Sequence, residues 1–251
     1  KELTPKVRNA ILKAKCAGIK IVIATGRPLS GVEKILTELG LNDQEDQYVV
    51  CFGGGVVETT AGNVLFEKKL TYDNYLDLET ISLKLGLHFH ASAPDRIYTA
   101  DRDIGDYTLY EANLVNLGIS YRTPAEMKDI PIIKCMYVDR QDLLDQKIAD
   151  HRPFAHLDDE ITFTKTAPFY YEANPKGVSK GNALKFLCHK LNLSSENLMA
   201  IGDEENDLSM IKFAGVGVAM GNAVPAVKEA AQRVTSDCDH DGVAEAIEKI
   251  L

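Results

Sequence analysis

Two widely separated stretches of this chain, residues 1–70 and 175–251, carry the same pattern: amphipathic segments alternate with short, continuously apolar runs. Thr4 caps a helix with Pro5 in its first turn, and Gly18 ends it. Residues 19–24 are a mostly apolar strand, and Thr25-Gly26-Arg27-Pro28 turns into a second helix that stops near Gly40. Residues 48–52 form another apolar strand, followed by Gly53-Gly54-Gly55. After Gly177 the pattern returns, with helices expected near 179–190, 207–213, 225–233 and 243–250, and strands at 198–201, 215–219 and 234–235. Strands without polar alternation belong to parallel sheets covered on both faces. Both ends of the chain therefore build one α/β domain with a Rossmann-like parallel-sheet core.

Residues 71–174 break the pattern. Helices are expected near 72–86, 104–117 and 140–150, and strands at 87–91, 96–99, 132–138, 161–164 and 169–172, some with alternating polarity. Such spacing indicates an antiparallel sheet with helices on one face, an α+β domain inserted in the first. At 251 residues, 45% hydrophobic and 26% charged, the chain has material for two modest domains. A formal net charge of −9 argues against nucleic acid or an anionic membrane as partner. No apolar run reaches membrane-spanning length, and 1–5 read directly into an amphipathic segment rather than a signal peptide. Five scattered cysteines suit free thiols in a reducing cytoplasm.

The densest chemistry is in Ile201-Gly-Asp-Glu-Glu-Asn-Asp-Leu208. An apolar strand precedes it and a helix follows, so the acidic run occupies a loop at the carboxyl end of a strand, where open α/β sheets place ligands. Asp203 and Asp207 would repel each other unless a cation lay between them, and a hard divalent ion such as Mg²⁺ suits carboxylate and water oxygens. An acidic turn with an N-capping Asp is the simpler alternative for the loop by itself. Thr25 follows a strand, and Gly26 lets backbone approach an anion closely. Lys180 opens a helix, where the helix dipole disfavours a cation unless an anion faces it. Asn222, in Met220-Gly-Asn-Ala223, follows a strand in the same way.

In order, these are Thr-Gly-Arg, the inserted module, Lys-Gly, Gly-Asp-x-x-Asn-Asp and Gly-Asn-Ala. The series resembles the haloacid dehalogenase superfamily, in its Cof-type sugar-phosphatase branch, over essentially the whole chain. The resemblance implies a core of 1–70 and 175–251, a cap of 71–174, and a small phosphorylated metabolite as substrate. It also implies that Thr25, Gly26, Arg27, Gly54, Lys180, Asn206 and Asn222 contact phosphate or substrate. By the same resemblance Lys180 and Thr25 serve catalysis, Asp203 ligates Mg²⁺, and Asn206 and Asp207 complete the metal's surroundings. Such sites act by positioning and charge stabilisation, under a cap that excludes water.

Two departures from the branch stand out. Its first motif, Asp-x-Asp-Gly-Thr, supplies the nucleophile that forms an aspartyl-phosphate and the general acid/base; it does not occur in residues 1–251. Gly53-Gly54-Gly55 stands where the branch has Asn-Gly-Ala. If the strand bearing the first motif belongs between 19–24 and 198–201, those two strands should stand roughly 9–10 Å apart, twice the usual spacing. The expected function is Mg²⁺-dependent hydrolysis of small phosphate esters, sugar phosphates foremost. A non-catalytic phosphometabolite-binding protein and a phosphomutase are the alternatives. Asp237-Cys-Asp-His-Asp241 reads as a solvated loop, and His88 and His90 as neighbours on one strand face. Phe169-Tyr170-Tyr171 reads as packing, with Glu172 and Asn174 toward the substrate.

Overall fold

A computed structural model describes residues 3–251. They form two compact units: 3–26, Glu33–Phe66 and Ser179–Leu251 make the first, Arg27–Val32 and Glu67–Val178 the second. The first helix, α1, is Pro5–Cys16, and the Thr4 side chain accepts a hydrogen bond from the Val7 amide. Strand β1 (Val22–Ala24) pairs parallel with β2 (Tyr48–Cys51). Between them a 3₁₀ turn, Leu29–Gly31, precedes the short α2 (Glu33–Glu38), where the sequence reads as one longer helix. From β2 the chain turns back into β3 (Val56–Thr59), which pairs antiparallel, and β4 (Val64–Glu67) completes the order β1-β2-β3-β4. The sheet is therefore mixed rather than wholly parallel.

The second unit is built on one six-stranded sheet. After α3 (Tyr72–Leu85) come β5 (His88–Ser92), β6 (Arg96–Thr99), α4 (Asp106–Val115), β7 (Gly118–Tyr121), β8 (Lys134–Val138), α5 (Gln141–Ile148), β9 (Ile161–Ala167) and β10 (Tyr170–Pro175). Their order is β7-β6-β5-β8-β10-β9, antiparallel except for β6 with β7. One face buries Phe89, Cys135, Tyr137 and Ala173 with Tyr75, Leu78 and Ile81 of α3. On β5, His90 is fully buried, its Nδ1 is 3.0 Å from the Thr108 hydroxyl, and burial lowers its pKa to about 3. His88 instead lies 3.1 Å from Asp101. Glu172 and Asn174, expected toward a substrate, are linked by a 3.3 Å hydrogen bond, and Glu172 pairs with the buried Lys134 ammonium at 3.0 Å.

Glu79 of α3 is buried in that core, and its only side-chain bond among the described residues is a 3.2 Å one from the Tyr75 hydroxyl. Burial pushes its pKa from 4.5 to about 7, with Asp101 adding repulsion. Between those two values the unfolded chain releases a proton that the folded chain keeps, so stability falls as pH rises from about 4.5 to 7 and then levels off. Glu79→Gln should flatten that slope and stabilise the protein at pH 8 by on the order of 2 kcal/mol. Urea midpoints at pH 5 and 8 check it; an unchanged difference between them would refute the role of Glu79.

The chain returns to the first unit with α6 (Lys180–Lys190), β11 (Met199–Gly202), α7 (Leu208–Phe213), β12 (Val216–Ala219), α8 (Pro225–Ala230), β13 (Arg233–Val234) and α9 (Gly242–Glu248). Strands β11, β12 and β13 form a parallel sheet in that order. Among the described residues, β1 and β11 are each paired on one side only, and not with each other. Their free edges line one cavity of about 690 Å³, which residues 19–24, 198–203, Lys180 and Asp207 border. No helix of the described residues is long and apolar enough to cross a membrane. The five cysteines are free thiols, with Cys51, Cys135 and Cys188 buried.

Candidate active site

The acidic loop after β11 is organised around Asp207. Its Oδ2 accepts hydrogen bonds from the Asp203 amide at 2.9 Å and the Glu204 amide at 3.1 Å. Its Oδ1 accepts from the Lys180 ammonium at 2.5 Å, and both side chains are less than a tenth exposed. Gly202 makes room for this arrangement, because a Cβ there would lie 2.5 Å from the Asp207 Cβ. Lys180 Nζ also lies 3.5 Å from Asn206 Oδ1. A buried lysine at a helix start is therefore matched by a buried carboxylate, which offsets both its desolvation and the helix dipole.

Two glycines fix where Lys180 starts. Gly54 has φ +109, and a Cβ on it would come within 2.2 Å of the Ser179 carbonyl oxygen. The loop after β2 thus lies flat against the first turn of α6, where the Ser179 hydroxyl accepts from the Asn182 amide. Gly181 packs as closely on α7, with its amide donating to the Ser209 hydroxyl at 3.0 Å. Thr25 joins the same assembly through its backbone. Its amide donates to Val50 O and its carbonyl accepts from the Gly53 amide, both at 2.8 Å.

Asp203 takes a different partner from Asp207. Its Oδ2 accepts from Asn222 Nδ2 at 2.7 Å, and Asn222 Oδ1 in turn accepts from the Cys238 amide at 3.0 Å. Among the described residues Asp203 Oδ1 takes no hydrogen bond. The structure thus brings Thr25, Gly54, Lys180, Asn206, Asp207, Asp203 and Asn222 into one hydrogen-bonded or packed series at the carboxyl ends of β1, β2, β11 and β12. Gly26 is exposed, and Arg27 begins the segment that belongs to the second unit. Sequence reasoning carried Gly181 and Gly202 only as members of the Lys-Gly and Gly-Asp-x-x-Asn-Asp motifs and did not single out Ser179; small residues beside charged ones were the available signal.

The two aspartates are chemically unequal. Asp207 has three donors on two oxygens, whereas Asp203 has one donor on Oδ2 and, among the described residues, none on Oδ1. Among the described residues no three His, Cys, Asp or Glu side chains converge on a common metal position. One free carboxylate oxygen does fit Mg²⁺, which is typically held by one or two carboxylates, waters and substrate phosphate rather than by an all-protein cage.

Comparison with known proteins identifies the family of the chain. The haloacid dehalogenase-like hydrolase family matches residues 1–247. A Streptococcus pyogenes protein provisionally named as a phosphatase is 45% identical over 250 residues, 99% of this chain and 92% of its own length. The Bacillus subtilis 5-amino-6-(5-phospho-D-ribitylamino)uracil phosphatase is 29% identical, over 96% of this chain and 85% of its own. The crystal structure of a haloacid dehalogenase-like hydrolase from Bacteroides thetaiotaomicron superimposes with a TM-score of 0.89 at 30% identity, covering 100% of this chain and 93% of that one. The chain belongs to the haloacid dehalogenase-like hydrolases and stands among their phosphatases, enzymes of phosphoric monoester hydrolysis.

Proposed function

We propose that the protein is a Mg²⁺-dependent phosphatase for small phosphorylated metabolites, sugar phosphates foremost, with residues 71–174 as the cap that selects them. The observation that carries this reading is the wiring of Lys180, Asp207, Asp203 and Asn222 beside Thr25. Lys180 holds its ammonium where phosphoryl oxygens would gather charge, fixed by Asp207. The Thr25 hydroxyl and the Gly26 amide offer donors to the same group, with Asn206 beside Lys180. Asp203 offers its free oxygen to Mg²⁺, which when bound would offset phosphate charge. The relative named for a phosphorylated ribityl compound supports a polyhydroxylated leaving group.

The covalent step needs a carboxylate that residues 1–251 do not place here. In this proposal it comes from an Asp-x-Asp-Gly-Thr strand seated between β1 and β11. The cavity there, edged by the unpaired sides of β1 and β11 and by Asp203, Asp207 and Lys180, supports that assignment. Residues 1–251 alone should release no phosphate from a sugar phosphate, and the protein carrying the added strand should do so with Mg²⁺. Turnover by a mass-verified 1–251 chain would overturn the nucleophile. In the protein with the strand, Asp203→Asn should weaken Mg²⁺ binding, read by calorimetry, and lower turnover at least about 100-fold, on the scale of losing a charge-stabilising group. Unchanged Mg²⁺ affinity would remove Asp203 from the metal.

A further inference from the structure

The segment after Thr25-Gly26 does not stay with the unit that holds them. Arg27–Val32 belongs to the second unit, so the chain passes between units at 26/27 and back at 32/33. Thr25 itself is pinned at both backbone groups to the end of β2, at Val50 O and Gly53 N. One residue, Gly26, separates that anchor from the crossing.

Within the second unit the segment is held firmly. The Ser30 hydroxyl donates to the Val115 carbonyl at 3.0 Å. Val115 is the last residue of α4, and a helix's final carbonyls lack partners within the helix. Ser30 thus supplies a donor that this end needs, beside the left-handed Asn116. The loop is also closed on itself, since a Cβ on Gly31 would meet Arg27 Cβ at 2.9 Å and Arg27 Nη1 lies 3.4 Å from Gly31 O. At its other end α4 is tied to the sheet by Thr108, 3.0 Å from the buried His90 of β5. A continuous path therefore runs from β5 through α4 and Ser30 to the residue next to Gly26.

We propose that Arg27–Val32 is a strap through which α4 sets the backbone of the Thr25-Gly26 phosphate loop, with Ser30 as its positioning residue. Thr25 and Ser30 are each anchored within their own unit, and along the chain only Gly26 separates Thr25 from the strap. Ser30 touches no substrate in this arrangement. The kinetic part of the test rests on the function proposed above; the exchange part does not.

The test compares wild type, Ser30→Ala and Ser30→Thr. Amide hydrogen exchange should speed up in Ser30→Ala at Thr25 and Gly53, across the crossing, as well as at the end of α4. Ser30→Thr, which keeps the hydroxyl, should restore wild-type exchange. Faster exchange confined to α4 and residues 27–32 would overturn the strap. In the strand-bearing protein, Ser30→Ala should lower kcat for a sugar phosphate about 3- to 10-fold, the usual scale for one lost hydrogen bond, with KM within twofold. The preference for the sugar phosphate over p-nitrophenyl phosphate should fall with it. An unchanged preference in Ser30→Ala, or an equal defect in Ser30→Thr, would also overturn it. If wild type hydrolyses neither ester, the function reading fails, and the exchange result still decides the strap.

Discussion

Lys180→Met should cost the protein both stability and turnover, and the two losses should come apart in a double variant. Lys180 and Asp207 are a buried pair 2.5 Å apart. Removing the ammonium strands a carboxylate that has only the Asp203 and Glu204 amides left. Breaking a buried pair in this way costs about 3–5 kcal/mol, whereas replacing both charges is often close to neutral. Lys180→Met combined with Asp207→Asn should therefore regain most of the lost stability. If Lys180 faces the phosphoryl group as proposed, turnover should not return, because that charge is still gone, a loss of about 10²–10³ in kcat. Denaturant midpoints and kcat, the latter of the protein carrying the proposed strand, measure the two effects. Recovery of turnover in the double variant would show that Lys180 serves the fold alone.

Gly54→Ala should be among the most damaging single-methyl changes in the chain. The added Cβ would sit 2.2 Å from a backbone oxygen of Ser179, at a φ of +109 that side-chain-bearing residues rarely adopt. Backbone strain of this kind and overpacking each cost about 1–3 kcal/mol, and relief requires α6 to move with Lys180 on its first turn. We expect a loss of at least about 3 kcal/mol and a fall in turnover. Gly53→Asn is the contrast, placing the amide that the resemblance to the Cof-type branch leads one to expect there. Gly53 has φ 65 and ψ 15, with nothing within 4 Å of a built Cβ, and Asn tolerates that left-handed region. Its effect on stability should stay below about 1 kcal/mol. Equal melting behaviour of the two variants would refute the packing argument.

These two glycines mark where reading the sequence stops. A run of three glycines signals unusual backbone, but not which one faces a neighbouring helix; that depends on Ser179, more than a hundred residues away. The long apolar runs and strong caps were legible because local chemistry decides them. Thr4-Pro5 starts α1, and the apolar run before Gly202 becomes β11. Strands β4 and β7 were not legible, since each is four residues with exposed ends and a half-buried middle, too short for period-two alternation to stand out. The helix expected after Pro28 is a 3₁₀ turn over Leu29–Gly31 and becomes α-helical only at Glu33, while Ser30 bonds to Val115, a contact with no local trace in the sequence. The spacing of Asp203 and Asp207 brought them to one loop. It did not tell which oxygens the backbone and Lys180 would occupy, since that is settled by distant partners.

The order of residues in the first unit has a consequence for synthesis. Val50 and Val57 of its mixed sheet are buried with Ala183, Leu184, Leu187, Met210 and Ile211, which come from the far end of the chain. A ribosome adding about 5–20 residues per second needs roughly 6–30 s to proceed from β4 to those helices. During that interval the Glu67–Val178 segment has been made in full and can collapse on its own core, while β1–β3 wait with apolar side chains uncovered. The Glu67–Val178 segment is therefore complete and able to fold before the first unit's core can close, and that interval is a window in which a holding chaperone or a second nascent chain could compete for the open sheet. Slower translation after residue 66 would lengthen that exposure without altering a single contact of the finished protein.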